Sequence, residues 1–225
     1  MTKLLRFTKA ALGAAFLVLA AGMAWADNGN DRALIAAAKA GDVVRISQLL
    51  RDGVAVDARD ARGRTALLVA THANRVEAAR ALIDAGADVN AKDEIGDSPY
   101  LYAGAEGRNE ILKMALKAGA DLKSVNRYGG TALIPAAHHG HPETVAILLA
   151  TAIDKDHVNK LGWTALLEAI ILGDGGPVHT RIVKLLLDGG ANPNIADRDG
   201  VTPLAHTRRH GYLEMARLLE AAGAR

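Results

Sequence analysis

The chain has 225 residues, no cysteine and a formal net charge of +2 from 27 Lys+Arg and 25 Asp+Glu. Three of those cations (Lys3, Arg6 and Lys9) and no acid lie before residue 27, so the rest carries 24 against 25, a net of −1. A near-neutral chain is a poor candidate for nucleic acid, whose affinity rests on many phosphate contacts, and about 200 residues bury enough core to fold without disulfides. The first element in chain order is a leader. Lys3, Arg6 and Lys9 form a positive segment, an apolar stretch follows from Ala10 to Met23, and Ala24-Trp25-Ala26 forms an A-x-A site. That order of charge, apolar run and small residues is the pattern of a secretory signal peptide over residues 1–26, with Asp27 the first mature residue. The apolar run is shorter than the ~20 residues of a spanning helix. No cysteine follows it to carry a lipid, and no Arg-Arg pair marks twin-arginine export. Nothing after it is apolar for long enough to span a membrane, so a periplasmic location is expected.

From residue 27 onward the glycines keep a ruler. Gly63, Gly96, Gly129 and Gly162 stand 33 residues apart and Gly200 follows 38 later. Each sits in a similar phrase: Asp60-Ala-Arg-Gly-Arg-Thr-Ala-Leu, Asp93-Glu-Ile-Gly-Asp-Ser-Pro-Tyr, Asn126-Arg-Tyr-Gly-Gly-Thr-Ala-Leu, Asn159-Lys-Leu-Gly-Trp-Thr-Ala-Leu and Asp197-Arg-Asp-Gly-Val-Thr-Pro-Leu. A fixed period of this size marks a solenoid, in which no unit buries its apolar face alone. Glycine takes positive φ at the turn. Thr65, Ser98, Thr131, Thr164 and Thr202 are placed to cap a helix with their hydroxyls, and Pro99 and Pro203 follow at the first helical position. A second helix carries apolar residues at helical spacing, such as Val145, Leu148 and Leu149, or Val183, Leu186 and Leu187. Gly53, Gly86, Gly119 and Gly190 fall where a helix end favours a left-handed residue.

These phrases resemble ankyrin repeats, whose pattern runs D-x-x-G-x-T-P-L-H-x-A-A-x-x-G-h-x-x-h-V-x-x-L-L-x-x-G-A-D. The resemblance implies an all-α solenoid of helix-turn-helix units joined by β-hairpin loops. Six repeats cover the mature chain: residues 31–59, 60–92, 93–125, 126–158, 159–196 and 197–225. The departures carry expectations of their own. The histidine of Thr-Pro-Leu-His is replaced by Leu68, Leu101, Ile134, Leu167 and Ala205, so its local polar link is expected to be lost. Ala152 stands where the other repeats have glycine, which would distort that helix end at a cost of roughly 1 kcal/mol if positive φ is kept. Five extra residues, about Asp174 to Val178, separate the helices of repeat 5. They are either a tolerated loop or a flexible finger toward a partner.

The resemblance also implies function. Such stacks bind other proteins in a groove made by the hairpin tips and inner helices, and rarely do chemistry. Carrying the variable positions of the pattern onto this chain places Arg62, Arg64, Glu94, Asp97, Arg127, Tyr128, His138, Lys160, Trp163 and Arg198 on that groove. Trp163, the one tryptophan outside the leader, is expected to be exposed and to anchor a ligand with Tyr128; the alternative is that it packs flat on its own hairpin. The partner is another protein, unidentified, and the domain itself is expected to be monomeric. One expected role is a periplasmic accessory that supports a stress-protective enzyme. Alternatives are an immunity protein that neutralises a periplasmic toxin and an effector secreted to a host.

No signal for catalysis, metal or cofactor stands out. His138 and His139 are adjacent and point apart on a helix, whereas helical metal pairs prefer a spacing of three or four, and His141 occupies the ordinary Gly-His turn of the family pattern. Asp197-Arg-Asp-Gly and Asp154-Lys-Asp-His lack the downstream glutamate and frame of a calcium loop. Gly173-Asp-Gly-Gly lacks the Gly-Lys-Ser/Thr of a phosphate loop. No serine sits in a G-x-S-x-G elbow.

Overall fold

The computed structural model describes residues 29–225; the leader expected over residues 1–26 lies outside them. Twelve α-helices are found there: α1 (Gly29–Ala40), α2 (Val43–Arg51), α3 (Ala66–His72), α4 (Val76–Asp84), α5 (Pro99–Ala105), α6 (Asn109–Lys117), α7 (Leu133–His138), α8 (Pro142–Leu149), α9 (Ala165–Ile171), α10 (Pro177–Asp188), α11 (Pro203–His210) and α12 (Leu213–Ala221). They form six antiparallel pairs. Odd-numbered helices stack on one another as an inner layer and even-numbered ones as an outer layer. None of the described helices is long and apolar enough to cross a membrane.

The stacking follows from which positions repeat. Leu34, Leu67, Tyr100, Leu133, Leu166 and Leu204 occupy one position of the inner helices, and all are buried. On the outer helices the pairs Ile46/Leu49, Ala79/Leu82, Leu112/Ala115, Val145/Leu148, Val183/Leu186 and Ala216/Leu219 are buried at a spacing of three, which puts both members on one helix face. One continuous core joins these rows through all six pairs. Small residues let the inner helices approach closely. A Cβ added to Gly104 would lie 2.8 Å from the Cβ of Ala132, so only glycine fits there.

The tips between repeats are closed by a side chain. In each phrase the first residue, Asp60, Asp93, Asn126, Asn159 or Asp197, accepts with Oδ1 the backbone N–H groups two and four residues ahead, at 2.9–3.0 Å. Its own N–H donates to the carbonyl four residues on, and its carbonyl accepts from the phrase glycine. Asp and Asn share this acceptor geometry, which is why they alternate at that position. The expected β-hairpin is thereby tightened to a turn. A single antiparallel bridge, Arg59 with Thr65, is the one isolated bridge among the described residues. Neighbouring tips are tied by Glu94 N–H to Arg62 O (3.1 Å) and Lys160 N–H to Tyr128 O (2.9 Å).

The expected caps form at Thr65, Ser98, Thr164 and Thr202, whose hydroxyls accept the N–H three residues on. Thr131 does not cap. In the other four repeats the carbonyl of the capping residue also accepts the N–H four residues ahead. Here that residue is Pro135, which has no N–H. The Thr131 carbonyl instead takes the N–H of Ile134 at 3.2 Å, and its buried hydroxyl is left without a hydrogen-bond partner.

The end of repeat 4 departs from expectation in mechanism. Ala152 does not adopt positive φ. The Thr151 hydroxyl closes the end instead, donating to Leu148 O at 2.6 Å and accepting from Ile153 N–H at 3.2 Å. The lost polar link of the family histidine returns one position later in two repeats. Asn159 Nδ2 donates to Glu168 Oε1 at 2.7 Å, and His206 Nε2 lies 2.7 Å from Asp197 Oδ2.

The last two residues of the five-residue insertion, Pro177 and Val178, extend α10, and the loop before them is pinned rather than left as a finger. Asp174 Oδ1 accepts Gly176 N–H at 2.9 Å and lies 3.0 Å from His179 Nδ1. His179 Nε2 donates to His138 O, and Tyr212 Oη donates to Gly173 O at 3.2 Å. The insertion is therefore held between repeats 4 and 6.

Because only four of the five hydroxyls cap, Thr164→Ala should lower the unfolding free energy by about 1 kcal/mol, while Thr131→Ala should change it by less than about 0.5 kcal/mol. Urea denaturation of the two variants checks this; equal losses would contradict the Pro135 argument.

Candidate protein-binding groove

The tips and inner helices put one side chain per repeat in a row. The third residue of the tip phrase is Arg62, Ile95, Tyr128, Leu161 and Asp199 in successive repeats. The middle three are apolar or aromatic and exposed: Ile95 53%, Tyr128 54% and Leu161 47%. Behind Tyr128 and Leu161 the inner helices α5, α7 and α9 open a cavity of ≈ 420 Å³, walled by Leu101, Ile134 and Leu172 among others. Leu172, at the end of α9, is 43% exposed. Exposed apolar side chains that rim a cavity in this way are what a binding surface presents.

Four of the ten expected groove residues line this cavity: Asp97, Arg127, Tyr128 and His138. Arg127 lies 3.6 Å from Asp97 and over the Tyr128 ring, 5.1 Å from its centroid. The others are elsewhere. Arg64 is clamped to Asp60 at 2.6 and 2.8 Å and lines a separate depression with His72 and Lys39. Glu94 faces a shallow hollow beside Arg59 and Lys92, and Arg62 is exposed at the first tip. The Lys160 ammonium donates to Arg127 O at 3.1 Å, and Arg198 donates to Lys160 O, so both tie neighbouring tips together. Trp163 is half-buried rather than exposed and does not line the cavity. Its backbone closes the repeat 5 tip.

The cavity also contains residues outside that set, above all Tyr102 and Glu168. Glu168 is only 6% exposed, held by Asn159 and 3.7 Å from His138 Nδ1. Burial pushes its carboxyl above the usual value of 4.5, against the Asn159 hydrogen bond. Burial likewise raises Asp97, which the nearby Arg127 only partly offsets. Burial, and then His139 and His179, hold His138 below its ordinary 6.5, so at neutral pH it gives Glu168 little charge compensation. His139 Nδ1 donates to Ala105 O at 2.8 Å and lies 3.7 Å from Glu106. No group of three His, Cys, Asp or Glu that could hold a metal occurs among the described residues.

Comparison with known proteins agrees with this architecture. A family model described as ankyrin repeats (3 copies) matches residues 9–93, 100–197 and 153–225. The chain belongs to the ankyrin-repeat family. The first match begins inside the expected leader. A crystallised ankyrin repeat domain from Acinetobacter baumannii AYE is 60% identical, with a TM-score of 0.84 over 85% of this chain and 98% of that one. The ankyrin repeat protein EF0377 is 45% identical, with a TM-score of 0.81 over 84% and 97%. The ankyrin repeat domain of Bcl-3, a member of the IkappaB family, is 28% identical, with a TM-score of 0.78 over 86% of each chain. The putative ankyrin repeat protein YahD of Escherichia coli K12 is 53% identical over 57 residues, spanning 28% of that protein and 25% of this one. Ankyrin repeats as a class are protein-interaction modules, typically without catalytic activity.

The raised carboxyl of Glu168 has a stability consequence. A group whose folded value lies above its unfolded one contributes stability below the unfolded value, here near 4.5, and that contribution is lost as pH rises through the folded value. Glu168→Gln keeps an acceptor for Asn159 and removes the charge. Its unfolding free energy at pH 7.5 should exceed that of wild type, with the difference vanishing near pH 4. Urea titrations at both pH values check it; a loss of equal size at both would contradict the assignment.

Proposed function

We propose that this chain is an exported binding protein that holds another protein against the tip row and inner-helix groove of repeats 3 to 5, and that it acts through that partner rather than by chemistry of its own. The observation that carries this reading is the alignment of exposed Ile95, Tyr128 and Leu161 on successive tips, the last two rimming the cavity behind them. The row is rigid before binding. Each tip is closed by its Asp or Asn and tied to its neighbours, so little ordering cost falls on association.

Export is part of the same proposal, supported by the order of Lys3, Arg6 and Lys9, the apolar run and Ala24-Trp25-Ala26. In the periplasm a chain without cysteine cannot cycle oxidants on a thiol. A role beside a stress-protective enzyme would therefore pass through contact with that enzyme.

Crosslinking capture from periplasmic extract, with the chain from Asp27 as bait, tests the site. A partner held by wild type should fall at least about tenfold with Tyr128→Ala, Leu161→Ala, and undiminished capture would remove the groove from consideration. N-terminal sequencing of the chain from fractionated cells tests export. Asp27 is expected as the first residue in the periplasmic fraction, and Met1 in the cytoplasm would overturn it.

A further inference from the structure

The groove under the tip row is acidic as well as apolar. Its lining carries three carboxylates, Asp97, Glu106 and Glu168, against one permanent cation, Arg127. Arg127 lies on the Asp97 side, 3.6 Å away. Glu168, on α9, is answered by the neutral amide of Asn159 and by His138 at 3.7 Å, and Glu106 by His139 at 3.7 Å. Burial raises the carboxyls of both Asp97 and Glu168, the condition of charges that a further cation would relieve. The same walls present Leu101, Ile134 and Leu172, apolar surface of the kind that receives the methylene stem of a long basic side chain while its charged head reaches polar groups.

The tip row adds a spacing. Packed helices lie about 8–10 Å apart, and a polyproline II segment, with three residues per turn, advances roughly 9 Å in three residues and returns every third side chain to the same face. Apolar side chains three positions apart on such a segment would therefore meet successive tips at Ile95, Tyr128 and Leu161.

Resting on the binding-protein reading above, we propose that the groove receives a polyproline II segment of the partner protein with apolar side chains three residues apart on the tip row and one lysine or arginine lowered into the cavity toward Glu106 and Glu168. The complementarity has a direction. An acidic segment would set its carboxylates against three others, and a purely apolar one would leave Glu168 buried without a cation.

The test is selection from a phage-displayed library of random dodecapeptides on immobilised full chain, beside Tyr128→Ala, Leu161→Ala and Glu106→Gln, Glu168→Gln double variants. Peptides enriched on wild type should carry Lys or Arg at one position, flanked by apolar residues at intervals of three, and this enrichment should vanish on the Gln variant. The best peptide, synthesised with fluorescein, should bind at least about tenfold more weakly by anisotropy when its cation is replaced by norleucine. The single variant Glu106→Gln, at a half-exposed site, should weaken the same peptide and serves as the readout if the double Gln variant does not fold. Enriched peptides that need the tip row but lack a cation would overturn the cation rule and leave the binding groove standing. Enrichment of no sequence on wild type above the Tyr128→Ala, Leu161→Ala variant would overturn both.

Discussion

Each helix pair carries apolar side chains on two sides, toward the repeat before and the repeat after, and has nothing within itself to cover them. Leu67 on α3 and Leu133 on α7 are buried, and α5, with the buried Tyr100, stands between these two helices. That constraint sets the spacing of repeats and makes the inner helices short and rich in alanine. It also aligns the tip turns, because a helix pair shifted by one position would turn Leu82 or Leu148 outward. The row of Ile95, Tyr128 and Leu161 and the cavity behind it are consequences of that register.

The polar design serves the same stack. Asp or Asn at each tip satisfies two N–H groups that the turn would leave unpaired, and long basic side chains reach across to a neighbouring carbonyl: Arg59 to Lys92 O at 2.6 Å, Lys92 to Val125 O at 2.8 Å and Lys160 to Arg127 O. Several charges that look available in one dimension are thus occupied. Beside α5, α7 and α9, by contrast, Asp97, Glu106 and Glu168 share one cavity with Arg127. This clustering of carboxylates sets repeats 3 to 5 apart, since the apolar core runs through all six helix pairs alike.

Local irregularities are resolved by nearby atoms, each for an identifiable reason. Pro135 removes the N–H that Thr131 O would accept, so the cap of α7 is lost. Thr151 supplies a hydroxyl where glycine is missing at residue 152. Asn74 takes φ of 51° between α3 and α4, where other repeats have glycine, a conformation that asparagine tolerates better than most residues. The insertion in repeat 5 is pinned by His179 and Tyr212 from its two sides. None of these breaks the stack, because the buried rows on either side continue unchanged.

Period, helix order, four of the five capping residues and the positions of the tips were legible in the amino-acid sequence, because each is decided within a stretch of 33 residues by local hydrogen bonding and apolar spacing. So was the placement of Asp97, Arg127, Tyr128 and His138 on the inner surface. The sequence by itself determined a stack of helix pairs and which side of it varies. Only the tertiary structure decided which variable side chains stay free, since that depends on contacts between residues about 33 apart. Trp163 is partly covered, Lys160 and Arg198 are drawn onto neighbouring tips, and Glu168, in a helix interior that sequence pattern marks as core, faces the groove. A buried carboxylate is recognised as part of a site only when the cavity and the partners around it are seen together, because its charge state is set by burial and by neighbours that adjacent repeats supply.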